Sequence, residues 1–184
     1  MAFLSALWLP ILVSAAVVFL ASSVIHMMFT YHKNDFQKLQ DENEVMNTLR
    51  SLNISPGSYH FPFCGTSKEM KEPAQVEKMN NGPVGMLTVF ENGMPKMGKY
   101  LFQWFLFCIV VSIFAAYIAF HALPVGGSYL EIFRFVGCTA FIGYSLAVWQ
   151  GYIWLKKSFR YVFFSTFDGL IYGLLTAGVF GWLW

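Results

Sequence analysis

Four long apolar runs limit what this chain can fold into. The hydrocarbon core of a bilayer is about 30 Å thick, so a helix needs about 20 mostly apolar residues to cross it. Each run meets or nearly meets that length. The sequence therefore predicts a membrane all-α fold with four transmembrane helices, which lie within residues 1–30, 100–122, 129–155 and 166–184.

The first run differs from a secretory signal peptide. Such a peptide has a basic start and an apolar core of about 7–15 residues. Here no Lys or Arg precedes Lys33, and the apolar run extends for about 26 residues. We therefore expect the run to be retained as the first transmembrane helix.

The charged residues are concentrated between the first and second runs, in residues 31–99. The whole chain has 12 Lys and Arg against 10 Asp and Glu, so no polybasic surface for nucleic acid is expected. Turn residues and apolar spacing predict a helix after Asp41, a strand at 58–63, a weaker helix at 68–79 and a strand at 84–91. Together they predict a small α+β insertion.

The connections between the runs differ in charge, and this predicts an orientation. The first connection is rich in Lys, the second is uncharged, and the third carries Lys156, Lys157 and Arg160. Cytoplasmic loops are enriched in Lys and Arg. We therefore expect residues 31–99 in the cytoplasm and both termini outside.

Asp168 has two interpretations. Ser165 lies three residues before it, which is the spacing of a capping box, so the last helix would begin at Thr166 with Asp168 in its first turn. The alternative is proton or cation handling, because ionisable residues within a span are often functional. His26 and Gln150 are expected toward the same side, so the possible polar cluster is His26, Gln150 and Asp168. Capping is the favoured interpretation.

A similar spacing opens the third helix. Ser128 and Glu131 have the capping-box spacing, and Arg134 follows three residues later, close enough to form an ion pair with Glu131. A structural role is favoured for both charged residues.

The histidines and cysteines do not predict a cofactor. His26 is expected near the cytoplasmic end of the first helix and His121 near the outer end of the second, so they lie on opposite sides of the membrane and cannot ligate one haem. His26 and His32 are six residues apart, which does not place them on one helical face. His60 and Cys64 lack a second pair of ligands for zinc. Haem and zinc are therefore not expected, and no catalytic or metal-binding residue is predicted.

Small residues recur on the third and fourth helices at spacings that let helices approach closely in lipid. The helix-packing positions predicted in this way include Gly137, Gly151, Gly169, Gly173 and Gly181.

Several short stretches resemble those of an uncharacterised family of small bacterial multi-pass membrane proteins. They are Trp8-Leu9-Pro10-Ile11, residues 21–27, Gly82-Pro83-Val84-Gly85, Phe167-Asp168-Gly169-Leu170 and Gly181-Trp182-Leu183-Trp184. The resemblance implies a bacterial plasma membrane and no particular activity.

The absence of a recognisable nucleophile–base pair, phosphate loop or metal cluster predicts a protein that is not an enzyme. The leading hypothesis is a non-catalytic accessory or structural subunit of a larger membrane complex, with respiratory, photosynthetic or transport function. One alternative is a small transporter or channel that uses Asp168 and His26. Another is a lipid- or quinone-binding protein. The expected partners are the bilayer and other membrane subunits.

Overall fold

The computed structural model describes residues 2–124 and 126–184. Within these residues, four helical segments are long and apolar enough to cross a membrane, which confirms the predicted number. They are α1 (Ala2–Met28), α4 (Met97–Ala122), the segment Tyr129–Leu155 and α7 (Phe159–Leu183). The last of these begins seven residues earlier than predicted.

The segment Tyr129–Leu155 is not a uniform helix. It consists of α5 (Tyr129–Phe141), a π-helical turn (Ile142–Leu146) and α6 (Val148–Leu155). A π-helical turn contains more residues than an α-helical one, so it rotates the following residues to a different face. Positions beyond the turn therefore depart from the face that regular spacing predicts.

The core of the helical bundle has two parts. Helix α7 packs on α5 and α1, and α4 packs on α1 and α5. One cluster is wholly apolar, and we call it the Phe180 end: it consists of Leu7, Ile11, Ala115, Ala116, Ala119, Ile132, Val136 and Phe180. The other, which we call the Asp168 end, lies around Ala15, Val18, Ile25, Cys108, Val111, Ala140, Tyr144 and Tyr172.

Glycines allow α5 and the π-helical turn to approach α7 closely. A Cβ atom placed on Gly173 would lie 3.1 Å from the backbone nitrogen of Phe141, and one on Gly137 would lie 3.0 Å from the Cβ of Ala177. Gly169 is similarly close to Ser145 in the π-helical turn, and Gly181 to Tyr129 in α5. Four of the five predicted positions are therefore at this interface. Gly151 is different, because it lies after the π-helical turn and contacts the side chain of Lys157.

Residues 38–95 form a separate compact unit. It contains α2 (Glu42–Ser51), β1 (Gly57–Phe61), a short 3-10 helix (Glu69–Lys71), α3 (Pro73–Asn81) and β2 (Gly85–Val89). The two strands pair antiparallel, with Gly57 opposite Val89 and Phe61 opposite Gly85. This confirms the small α+β insertion. Residues 31–37, predicted as part of it, belong instead to the helical unit.

Candidate functional site

Asp168 lies in the interior of α7, and not at its start. Helix α7 begins after Ser158, whose hydroxyl oxygen accepts a hydrogen bond from the backbone nitrogen of Tyr161 at 3.1 Å. Ser165 is therefore inside the helix, and the capping interpretation of Asp168 is wrong. The carboxylate is in the third turn of the helix, where only 3% of the residue is exposed.

Two side chains from the segment after α1 bind this buried carboxylate. The hydroxyl of Tyr31 donates to Oδ1 of Asp168, and Nε2–H of His32 donates to Oδ2 at 2.7 Å. The contacts join residues that are 137 and 136 positions apart in the sequence. Both carboxylate oxygens therefore have partners from a region predicted to be part of the insertion.

The segment after α1 is held over α7 by several contacts. Helix α1 ends at Met28, and the backbone nitrogen of Lys33 then donates to the carbonyl oxygen of Thr30 at 3.1 Å. The guanidinium of Arg160 donates to the carbonyl oxygen of Tyr31 at 3.0 Å, and the Tyr31 ring packs on Phe164 with centroids 4.9 Å apart. These contacts direct Tyr31 and the following residue toward the interior.

His32 lies between two carboxylates. Its Nδ1–H donates to Oδ2 of Asp35 at 2.6 Å, while Nε2–H faces Asp168. Burial by itself lowers the pKa of His32, but the hydrogen bonds with Asp35 and Asp168 outweigh it and raise the pKa above the ordinary value. Burial and the hydrogen bond to Asp168 also raise the pKa of the Tyr31 hydroxyl. The structure therefore favours a charged imidazolium with a neutral phenol beside the carboxylate.

His26 completes the group that we call the Asp168 cluster: His26, Tyr31, His32, Asp35 and Asp168. The imidazole rings of His26 and His32 are stacked, with centroids 4.7 Å apart and planes 8° apart. Nδ1–H of His26 donates to the carbonyl oxygen of Ser22 at 3.0 Å. One ligand atom from each of His26, His32 and Asp168 lies within 4.8 Å of the others.

The remaining predicted site residues lie elsewhere. Gln150 is exposed and lines a shallow groove of about 320 Å³ with Trp154, Lys157 and Tyr161. Its predicted grouping with His26 and Asp168 rested only on their lying toward the same side of the membrane, and the residues that line its groove include neither of them.

The predicted ion pair of Glu131 and Arg134 is also not formed among the residues that the structure describes. The carboxylate of Glu131 instead accepts hydrogen bonds from the backbone nitrogen and the hydroxyl of Ser128, both at 2.8 Å. Glu131 therefore caps the N-terminus of α5 together with Ser128, as the capping-box spacing predicted.

Polar groups continue from Asp168 into the bundle. Asp168, Tyr172, Thr176 and Phe180 lie four residues apart on one face of α7, and all four are buried. Within the described part of the chain, the buried hydroxyl groups of Tyr172 and Tyr144 have no hydrogen-bond partner. The polar side chains stop at Thr176, since Phe180 belongs to the apolar cluster.

Tyr31, His32 and Asp35 were not predicted as site residues. Helical spacing separated His26 from His32, but the helix ends between them and the chain turns back, so the spacing rule did not apply. The available signal was the composition of residues 31–35, where an aromatic residue, a histidine and a carboxylate directly follow an apolar helix.

The fold and the cluster define a class of protein. It has four helical segments long enough to cross a membrane, and a buried carboxylate that accepts hydrogen bonds from a histidine and a tyrosine. Comparison with known proteins adds no closer assignment. No family model, no curated protein and no solved structure matches the chain.

Proposed function

We propose that this protein is a small multi-pass membrane transporter or channel that moves a cation, which it binds at Asp168. The observation that carries this proposal is the burial of a carboxylate inside a helix of membrane-spanning length. Such groups are costly in a bilayer, and they commonly mark ion pathways. Helix capping, the competing explanation, does not apply to a residue in the third turn.

The distribution of polar groups in the bundle supports the same function. The α7 face that contains Asp168 continues with Tyr172 and Thr176, so polar atoms extend from the cluster toward the middle of the bundle. The Phe180 end is closed by apolar side chains. Transport would therefore require the Phe180 end to open, as in alternating access.

Flux measurements in proteoliposomes test the proposal. We expect the unmodified protein to carry a cation, with protons, alkali ions and divalent metal ions each measured separately. Asp168→Asn should abolish the flux, because it removes the negative charge and keeps the shape. Glu131→Gln is the matched control, since it makes the same chemical change at an exposed cap. Equal flux in Asp168→Asn, or no cation flux in the unmodified protein, would refute the proposal.

The proposed orientation places both termini outside and residues 31–99 in the cytoplasm of a bacterial plasma membrane. The support is the charge of the connections: two spans separate the Lys-rich first connection from the third, which carries Lys156, Lys157 and Arg160, so the two basic connections would lie on one side. A reporter fused after Trp184 should be active outside the cytoplasm. A cytoplasmic signal from that reporter would reverse the orientation.

The accessory-subunit function stays a prediction, as do lipid or quinone binding and the absence of enzymatic activity. Exposed apolar side chains such as Phe114, Leu174 and Trp182 suit contact with lipid and with partner subunits alike. Crosslinking in cells followed by purification in mild detergent distinguishes contact with lipid from contact with partner subunits. Recovery of the chain together with other membrane proteins would favour the accessory subunit.

A further inference from the structure

We propose that the cation is a transition-metal dication, bound by His26, His32 and Asp168. The inference rests on the proposed function for the role in transport, but the binding itself is independent of it. The starting observation is that three ligand-type side chains, from the end of α1, the following segment and α7, converge within 4.8 Å.

The donor set selects the class of metal. Two imidazoles and one carboxylate suit zinc, cobalt, nickel and iron, whereas magnesium and calcium prefer oxygen ligands only. Three protein ligands also leave a coordination position open, as in sites that exchange a water molecule or a substrate. An open position suits a site that has to release its ion.

Each of the three ligands is held by a second partner. Nδ1–H of His32 donates to Asp35, and Nδ1–H of His26 donates to the carbonyl oxygen of Ser22. The hydroxyl of Tyr31 donates to Oδ1 of Asp168, which leaves Oδ2 directed at His32. Metal-binding histidines generally donate their other ring N–H to a carboxylate or a backbone carbonyl. Both histidines here follow that rule.

The cluster suits a dication once His32 has given up its extra proton. Asp35 and Asp168 supply two carboxylates against the single imidazolium of His32, whereas the nearby Arg160 is directed at the carbonyl oxygen of Tyr31. Among the described residues, Oδ1 of Asp35 is buried without a hydrogen-bond partner.

On binding, the Nε2–H of His32 loses its proton to solvent. The Nε2–H···Oδ2 hydrogen bond to Asp168 is then replaced by one bond from each atom to the metal. Two carboxylates and one dication leave the site neutral.

Binding requires a small rearrangement. Two ligand atoms at about 2.1 Å from a tetrahedral ion lie about 3.4 Å apart. The widest separation in the group, at most 4.8 Å, therefore has to shorten by up to about 1.4 Å. Nε2 of His32 and Oδ2 of Asp168, now 2.7 Å apart, have to separate by about 0.7 Å. The lone pairs of parallel rings do not converge, so the stacked imidazoles have to turn relative to each other. His26 is exposed, unlike Asp168, so its ring has room to turn and an ion can reach it from the surface of the protein.

Cobalt titration of the purified full-length protein in detergent tests the inference, with Co²⁺ followed by its visible absorption and displaced by Zn²⁺. We expect one equivalent to bind. His26→Gln should weaken binding about tenfold or more, given the effect of losing even an outer-shell partner. His121→Gln is the matched control, because His121 is also exposed and donates its Nδ1–H to the carbonyl four residues earlier. It should bind as the unmodified protein does.

A second pair of variants tests the buried side of the site. Asp168→Asn should prevent binding, and Asp35→Asn should weaken it about tenfold to a hundredfold through His32. Circular dichroism and thermal melting establish that each variant is folded, and the exposed His26 decides the outcome should a buried variant fail to fold.

Two results would overturn the metal site: no bound Co²⁺ or Zn²⁺ in the unmodified protein, or equal binding by His26→Gln. Flux of protons or alkali ions that depends on Asp168, without metal binding, would retain the proposed function alone. Metal binding without any flux would retain the metal site alone.

Discussion

The two ends of the helical bundle use the same face of α7 in different ways. At the Phe180 end, a phenylalanine is fully enclosed by aliphatic side chains of α1, α4 and α5. At the Asp168 end, the equivalent position three helical turns earlier holds a carboxylate, which is satisfied by specific hydrogen bonds from Tyr31 and His32.

The difference separates packing from chemistry. In lipid, helices gain little from apolar burial alone, so close packing holds a bundle together. At the Phe180 end, apolar side chains supply this close packing, and the cluster contains no polar group. The Asp168 end contains polar groups that require partners. Variants at the two ends should therefore separate stability from cation binding.

The largest expected effect is at the Phe180 end. Phe180→Ala should lower the free energy of unfolding by about 3 kcal/mol, the lower part of the range for buried Phe, because in lipid mainly the cavity term remains. Cation binding by the folded fraction should be unchanged. Unfolding in mixed detergent and SDS measures the loss. Phe114→Ala is the control, since Phe114 is 61% exposed and should cost almost nothing. A matching loss in both variants would contradict the assignment of the core.

Asp168→Leu should lower the free energy of unfolding by about 2 kcal/mol, because the Tyr31 hydroxyl and the His32 N–H lose their acceptor. Asp168→Asn should cost less, since its amide oxygen still accepts one hydrogen bond. Both variants should lose cation binding. The same unfolding titration, combined with the cobalt assay, tests this. If the two variants had the same free energy of unfolding, the hydrogen bonds to Asp168 would contribute nothing to the stability of the protein.

Between the two ends, the close approach of α5 and α7 should contribute to the stability of the bundle. Gly173→Ala should cost about 1–2 kcal/mol, because the new methyl group would lie 3.1 Å from the backbone nitrogen of Phe141. Gly178→Ala is the matched control on the same helix, where the nearest atom is the Tyr129 hydroxyl at 4.0 Å. Unfolding curves should show no loss for Gly178→Ala. Equal curves for the two variants would mean that the α5–α7 contact is looser than the structure has it.

The smallest expected effect is at the buried pair of serine hydroxyls. Ser14 donates to Ser112 at 3.0 Å and joins α1 to α4. Ser112→Ala should cost about 0.6 kcal/mol, the average for hydrogen bonds between membrane helices. Adding Ser14→Ala should cost little more, because the two groups act on each other. Fully additive losses in a double-mutant cycle would exclude an interaction between them.

Local features of the sequence predicted much of the architecture. Apolar length identified the four helices, since the thickness of a bilayer is a local requirement on each run. Turn residues and spacing predicted the order of helices and strands in the insertion. Recurring glycines marked four positions where α7 contacts α5 or the π-helical turn, because absence of a side chain is what close approach needs.

The start of α7 could not be decided locally. Ser165 has the capping-box spacing to Asp168, and this spacing alone led to the prediction that the helix begins at Thr166. In the structure Ser158 is the cap, and Asp168 is placed inside the bundle where Tyr31 and His32 supply its hydrogen bonds. The choice depends on partners more than a hundred residues away.

The apolar runs alone determined the number of segments of membrane-spanning length, and turn residues with apolar spacing determined the order of helices and strands in the insertion. Only the tertiary structure decided that His26, His32 and Asp168 form one site, because their convergence depends on where α1 ends, how the chain turns back, and how α7 packs against it. Spacing along a helix describes neighbours on that helix. It contains no information about residues that meet after the helix has ended.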